Sequence, residues 1–265
     1  MQRVISPTNP RLRAAFLLLA SSRERRKSGR CVLEGAHLVA VYRQRLGAPE
    51  LVIITDEALA RDEVRAIVAH VPPGDVIVVP ARLLDQHASV PADVGILAVV
   101  PAPRGQVSDS AQLTLLLEDI QDPGNVGSML RTAAAAGVDQ VLLSEACAFA
   151  WSPKVLRAGQ GAHFLTTIVE DVDLIDWVGR FSTRGGQAVA TVARGGASLY
   201  DTRLPSPIAV AIGNEGAGLS EALAAQCALR VTIPMARDNE SLNAAAAAAI
   251  VLFEAVRQRG ETVRA

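Results

Sequence analysis

Three short segments carry the residues that could do chemistry. "QDPGNVGSMLRTAAAAG", Gln121 to Gly137, sets Asn125 and Arg131 where a Pro-Gly turn opens into a helical pattern. "NEGAGLS", Asn214 to Ser220, is a tight glycine loop holding Glu215. "ARDNESLN", Ala236 to Asn243, places Asn239, Glu240, Ser241 and Asn243 directly before six consecutive alanines. A guanidinium, a carboxylate, amides and a hydroxyl together suit the holding and orienting of a polar or anionic group. Ser241 and Asn243 stand at a helix start, where anions bind favourably, although Ser241 or Asn239 also fits a plain N-cap. The common templates fail. Gly213, Gly216 and Gly218 read G-x-x-G-x-G, not the dinucleotide fingerprint. There is no Walker A lysine, no G-x-S-x-G elbow and no H-E-x-x-H pair. The four histidines, His37, His70, His87 and His163, lack ligand spacing, so no metal is expected.

Each chemical segment follows an apolar run: "TLLLEDI", "IAVAIG" and "LRVTIPM". With "QVLLSE", "FLTTIVE" and "QAVATVA" these read as strands, several of them continuous apolar runs suited to a parallel sheet covered on both faces. In such a sheet ligands bind beyond the carboxyl ends of the strands, which is where the three loops fall. Residues 31–100 show an earlier alternation. The strand-like runs are "CVLEG", "LVIITD", "VIVVP" and "VGILAVV"; between them stand the helical patterns "AHLVAVYRQRL", "EALARDEVRAIVAH" and "ARLLDQHA". The Pro-, Gly- and Ser-rich stretch "PAPRGQVSDSAQ", Pro101 to Gln112, is the expected boundary, giving blocks 1–105 and 106–265. The fold class is α/β in both.

Half of the 265 residues are hydrophobic and a fifth are charged, which is the composition of a soluble globular chain. No apolar run reaches the roughly 18 residues that a membrane span needs. "RLRAAFLLLASS", Arg11 to Ser22, imitates a secretion signal, but "RERRK" follows at once and an amphipathic helix is expected instead. Cys31, Cys147 and Cys227 match no disulfide framework or metal spacing and point to a reducing cytoplasm. Residues 1–45 hold ten Lys/Arg against Glu24 and Glu34, a charge of +8, so the rest of the chain carries −9 within a net −1. A basic head on an acidic body suggests a polyanion partner.

The three segments, in this order, resemble the motifs of the SpoU/TrmH family of knotted SPOUT methyltransferases: "DPGNVGSMLRTAAAAGV", "AIGNEGAGLS" and "IPMARDNESLNAAAAAAIVLFE". "ISPTNPRLRAAFLLLASSRERRKSGRCVLEGAHLV" is similar to the family's accessory RNA-binding module, which has a fold like ribosomal protein L30e. The resemblance implies a parallel-sheet SPOUT domain with a C-terminal trefoil knot, preceded by a smaller α/β L30e-like domain. It implies methyl transfer from S-adenosylmethionine to a ribose 2′-hydroxyl of RNA, by a homodimer. Arg131 would be central, with Asn125, Glu215, Ser241 and Asn243 completing the catalytic set. Thr191, Gly213, Ile233 and Leu242 would hold the cofactor, Gly213 letting the adenosine approach the main chain. One departure stands out: many members have glycine after "IPM" and "NVS" after "SL", where this chain has Ala236–Arg237 and Asn243 to Ala245.

Ribosomal RNA is the leading expected substrate, because members with this N-terminal module mostly act there. A tRNA ribose methyltransferase is the nearest alternative, and an inactive RNA-binding assembly factor is a second. Retention of Asn125, Arg131, Glu215, Ser241 and Asn243 speaks against the latter. An oxidoreductase lacks its fingerprint.

Overall fold

A computed structural model describes residues 1–87, 95–236 and 241–260. The chain divides into two compact units, Met1–Arg104 with Trp151–Phe164, and Gly105–Ala150 with Leu165–Ala265. The expected block 106–265 therefore gives up one segment to the first unit.

The first unit begins with β1 (Gln2–Arg3), α1 (Pro10–Ala20), α2 (Ser22–Ser28), β2 (Arg30–Glu34) and α3 (Ala36–Leu46). It continues through β3 (Leu51–Thr55), α4 (Asp56–Leu59), α5 (Asp62–Val68), β4 (Val76–Val79), α6 (Ala81–Asp85) and β5 (Ile96–Pro101). The sheet runs β1-β4-β3-β5-β2, with β5 antiparallel to both of its neighbours. Alternate residues Leu51 and Ile53, Ile77 and Val79, and Leu97 and Val99 face Leu12, Ala15 and Phe16 of α1. Their sequence neighbours Val52, Ile54, Val76, Ala98 and Val100 are equally buried, and α3 packs on β2, β5 and α5. Cover on both faces is why these strands carry no polar alternation.

The signal-like stretch is indeed a helix. Asn9 caps α1 by accepting from Arg11 N and Leu12 N, and Pro10 stands in the first turn, where its missing N–H costs nothing. Arg25 is buried and donates to the carbonyls of Leu18 and Leu19 at the end of α1. It thus serves the fold rather than the basic surface. Arg3, Arg11 and Arg30 are paired with Asp56, Asp75 and Glu50, which leaves Arg13, Arg23 and Lys27 among the exposed cations of the head.

"EALARDEVRAIVAH" folds as two helices. Ala60 N bonds Glu57 O and Arg61 N bonds Ala58 O, and these tighter turns end α4 before α5 starts. The two-residue strands at Gln2–Arg3 and Ala197–Ser198 are too short to leave a periodic signal.

Trp151–Phe164 holds α8 (Pro153–Gly159), which packs on β2. Phe164 meets Tyr42 edge-on with centroids 5.3 Å apart, and Trp151 lies 5.2 Å from His163. Gly161 has φ +90°, and a Cβ there would stand 2.9 Å from the Val41 side chain.

The second unit contains β6 (Leu113–Leu117), α7 (Pro123–Ala135), β7 (Gln140–Leu143), β8 (Thr167–Val169), α9 (Leu174–Thr183) and β9 (Gln187–Thr191). It then runs through β10 (Ala197–Ser198), β11 (Ile208–Ile212), α10 (Glu221–Gln226), β12 (Leu229–Thr232) and α11 (Ala244–Gln258). Its seven strands are parallel throughout, ordered β10-β12-β9-β11-β6-β7-β8. "FLTTIVE" is a strand only over Thr167–Val169, because Phe164 belongs to the first unit.

On one face, Trp177 and Phe181 of α9 stack at 4.7 Å over the small residues Ala188, Ala209 and Ala211. On the other, α11 packs against β11 and α7. Replacing the fully buried Trp177 by Ala would open a large cavity. The expected cost is about 3–5 kcal/mol, read from denaturant unfolding followed by far-UV circular dichroism.

Candidate active site

Asn125 is the meeting point of the three segments. It sits in the first turn of α7, whose N-cap Asp122 accepts from Asn125 N at 2.8 Å. The Asn125 side-chain amide donates to Glu215 Oε1 at 2.8 Å, and its oxygen accepts from Asn243 Nδ2 at 3.0 Å. Asn243 also caps α11, its Oδ1 accepting from Ala245 N and Ala246 N. The N-cap is therefore Asn243 and not Ser241, while Asn239 and Glu240 lie outside the described residues. Asn125, Glu215 and Asn243, distant in sequence, form one hydrogen-bonded row.

Beside this row a cavity of about 450 Å³ opens at the carboxyl ends of β9, β11 and β12. Thr191, Gly213, Ile233, Leu242, Glu215 and Ser241 all line it. Its size lies within the usual range of small-molecule clefts, about 300–1,000 Å³. The wall is mixed, with Ile212, Leu219, Met235 and Ala247 as its apolar part. Thr191 Oγ1 is buried without a hydrogen-bond partner among the described residues. An orphaned hydroxyl at a cavity wall is a ready contact for a polar ligand group. Gly213 is also needed for the packing of its own loop. A Cβ there would fall 2.2 Å from Gly218 C and Leu219 N, so the loop closes back onto Gly213 itself.

Arg131 does not join the row. It lies six residues beyond Asn125, about 9 Å further along the helix and on another face. Its side chain is exposed and makes no hydrogen bond or ion pair among the described residues. It shares that face with the small residues Gly124, Ser128 and Ala135.

Several supporting residues escaped the sequence reading. Glu118 accepts from Ser220 N and Oγ, both at 2.7 Å, tying the β6 loop to the start of α10. Ser144 donates to Asp119 Oδ1 at 2.6 Å, and Asn214 donates to Asp119 O at 2.8 Å. The usable signal was an Asn two places before a glycine, an Asx-turn pattern. Among the described residues no group of His, Cys, Asp and Glu could hold a metal ion.

Partial burial by itself would raise the Glu215 carboxyl. Hydrogen bonds from Asn125 and from the N–H groups of Glu215, Asp122 and Gln121 outweigh it and hold the group below the usual carboxylate range. A depressed carboxyl stabilises the fold above its unfolded value, near 4.3, and that contribution is lost as pH falls through the folded value. The Glu215 carboxyl carbon should accordingly titrate below about 4.3 by NMR. In Asn125→Ala the inflection should move upward; an unmoved inflection would show that Asn125 does not hold the carboxylate.

Comparison with known proteins bears on the whole chain. The SpoU rRNA Methylase family matches residues 112–253. The 23S rRNA (guanosine(2553)-2′-O)-methyltransferase RlmP of Bacillus subtilis (strain 168) is 32% identical over 259 residues, covering 96% of this chain and 98% of its own. The crystal structure of the SpoU methyltransferase AviRb from Streptomyces viridochromogenes, in complex with the cofactor AdoMet, superposes with a TM-score of 0.82. It is 28% identical, and the match covers 95% of this chain and 98% of that one. The AdoMet-bound rRNA methyltransferase from Sinorhizobium meliloti gives a TM-score of 0.83 at 25% identity, covering 97% of each chain. The row of Asn125, Glu215 and Asn243 thus lies on the three segments that resembled one family, and the chain belongs to that family, the SpoU rRNA methylases.

Proposed function

We propose that the protein transfers a methyl group from S-adenosylmethionine to a ribose 2′-hydroxyl of ribosomal RNA. The observation that carries this reading is the Asn125–Glu215–Asn243 row on the rim of the cavity, in a chain of this family. Ribosomal RNA is favoured over tRNA because the rRNA enzymes named above match the first unit as well as the second.

The cavity residues fit the cofactor. Thr191, Gly213, Ile233 and Leu242 would hold it, with the orphaned Thr191 hydroxyl available to a polar group and the apolar wall to a flat ring. When bound, the cofactor supplies an electrophilic methyl on a sulfonium. The chain must then align the ribose oxygen with that carbon, which lowers the barrier by several kcal/mol. Glu215, Asn125 and Asn243 are mutually fixed and present a rigid polar edge for this. Ser241, exposed beside them on the cavity wall, offers its hydroxyl to a substrate phosphate. Arg131 is the one charged residue of α7. A guanidinium offers several N–H donors in a planar fork, so its task is to hold the ribose or its phosphate.

The first unit, with Arg13, Arg23 and Lys27 exposed on α1 and α2, is read as the L30e-like RNA-binding head. The active form is read as a homodimer with a C-terminal trefoil knot. Supporting the dimer, α11 exposes Ala246 and Phe253, the latter 44% accessible, and it packs on α7, which exposes Gly124, Ser128 and Ala135. Supporting the knot, α11 follows β12 yet packs on β11 and α7 near the middle of the sheet. The action is assigned to the cytoplasm; no described helix is long and apolar enough to cross a membrane.

Labelled methyl transfer to unmodified rRNA and tRNA pools tests the reading. Label should enter rRNA, and Arg131→Ala should lower kcat by roughly 10²–10³-fold. Transfer to tRNA alone, or to neither pool, would overturn it. Phe253→Asp should convert the dimer to monomers in sedimentation equilibrium, and an unchanged mass would remove Phe253 from the interface.

A further inference from the structure

Glu215 stands in a short loop, its carboxylate met from across the site by Asn125 Nδ2 at 2.8 Å and Asp122 N at 3.4 Å. It lies between Asn214 and three residues with small side chains or none, Gly216, Ala217 and Gly218. What fixes the loop is the side chain before it. Asn214 Oδ1 accepts from Gly216 N at 2.9 Å and Ala217 N at 3.0 Å, and Asn214 O accepts from Gly218 N at 2.9 Å. These bonds shape the loop internally. The Asn214 Nδ2 group does something different: it reaches out of the loop and donates to Asp119 O, 95 positions away, at 2.8 Å.

That receiving carbonyl is itself held. Asp119 has φ +56°, a left-handed conformation that short polar residues tolerate. The Ser144 hydroxyl grips Asp119 from the end of β7, accepting from Asp119 N at 2.9 Å and donating to Oδ1 at 2.6 Å. An unbroken path therefore runs from Ser144 through Asp119 and Asn214 to Glu215, and from there to Asn125 and Asn243.

We propose that Asn214 is a positioning residue for methyl transfer, its side-chain amide anchoring the glycine loop to the turn after β6 so that Glu215 meets Asn125. The proposal rests on the methyltransferase reading above. A turn-forming role alone would need only the oxygen, since aspartate can accept from Gly216 N and Ala217 N just as asparagine does. Only the amide nitrogen can donate to Asp119 O.

Asn214→Asp separates the two roles, because it keeps the turn and sets a carboxylate oxygen against a carbonyl oxygen. The loss of one hydrogen bond should shift Tm by no more than about 2–4 °C. The Kd for S-adenosylmethionine, by calorimetry, should stay within about threefold, since the loop bonds that shape the cavity remain. The kcat should fall about 10²-fold, the cost of a displacement near 1 Å in a positioned group. A kcat within about twofold of wild type would overturn the proposal. So would Tm, Kd and kcat collapsing together, which is the mark of a structural role only. A crystal structure of the variant separates this inference from the function reading. Glu215 still within hydrogen-bond distance of Asn125 would defeat the inference even if the wild-type chain methylates rRNA. Glu215 displaced, with no transfer by the wild-type chain, would uphold the anchoring and defeat the function reading.

Discussion

The side-chain amide of Asn125 joins stretches of chain up to 118 positions apart, and the second unit is arranged around making that junction possible. An amide offers a donor to a carboxylate and an acceptor to another amide at once. For both partners to arrive, the loop after β6, the loop after β11 and the start of α11 must reach the same edge. A wholly parallel sheet meets this requirement, because every strand delivers its following loop to one side. An antiparallel arrangement would send alternate loops to opposite edges.

The packing follows from the same demand. A parallel sheet needs helices over both faces, so its strands must be apolar on both sides and its helices must lie close. Bulk is divided between layers: Trp177 and Phe181 come from the helix, while β9 and β11 answer with alanines. On the opposite face the alanine run of α11 and Gly127 and Ala133 of α7 keep side chains small where helix meets helix. Alanine also has the best helix propensity. The backbone N–H groups at the start of α11 are then left to Asn243, which serves the helix and the site together.

Much of this was written in local sequence. The apolar runs announced nearly all the strands, because burial on both faces leaves an unbroken signal over four to six residues. The three polar loops announced the site, because glycine and amides are unusual after such runs. What stayed hidden depends on partners far away. Nothing local tells that Glu118 accepts from Ser220, or that Ser144 holds Asp119. Asn243 looked like one of several polar residues before a helix, and only the fold chose it as cap over Ser241. Nor does anything local tell that the chain returns onto Gly213 at Gly218 and Leu219. The separation of Arg131 from Asn125 was legible in helical spacing, since six residues do not share a face.

The placement of Trp151–Phe164 has a consequence for biosynthesis. The first unit is not finished when the ribosome has made Arg104. It lacks Trp151, Phe164 and α8 until sixty further residues have been added. At ordinary elongation rates that is a wait of about 3–12 s, during which Tyr42 and β2 lack the packing that Phe164 and α8 give them. A head built this way cannot be cut from the chain after Arg104 without losing part of its own packing.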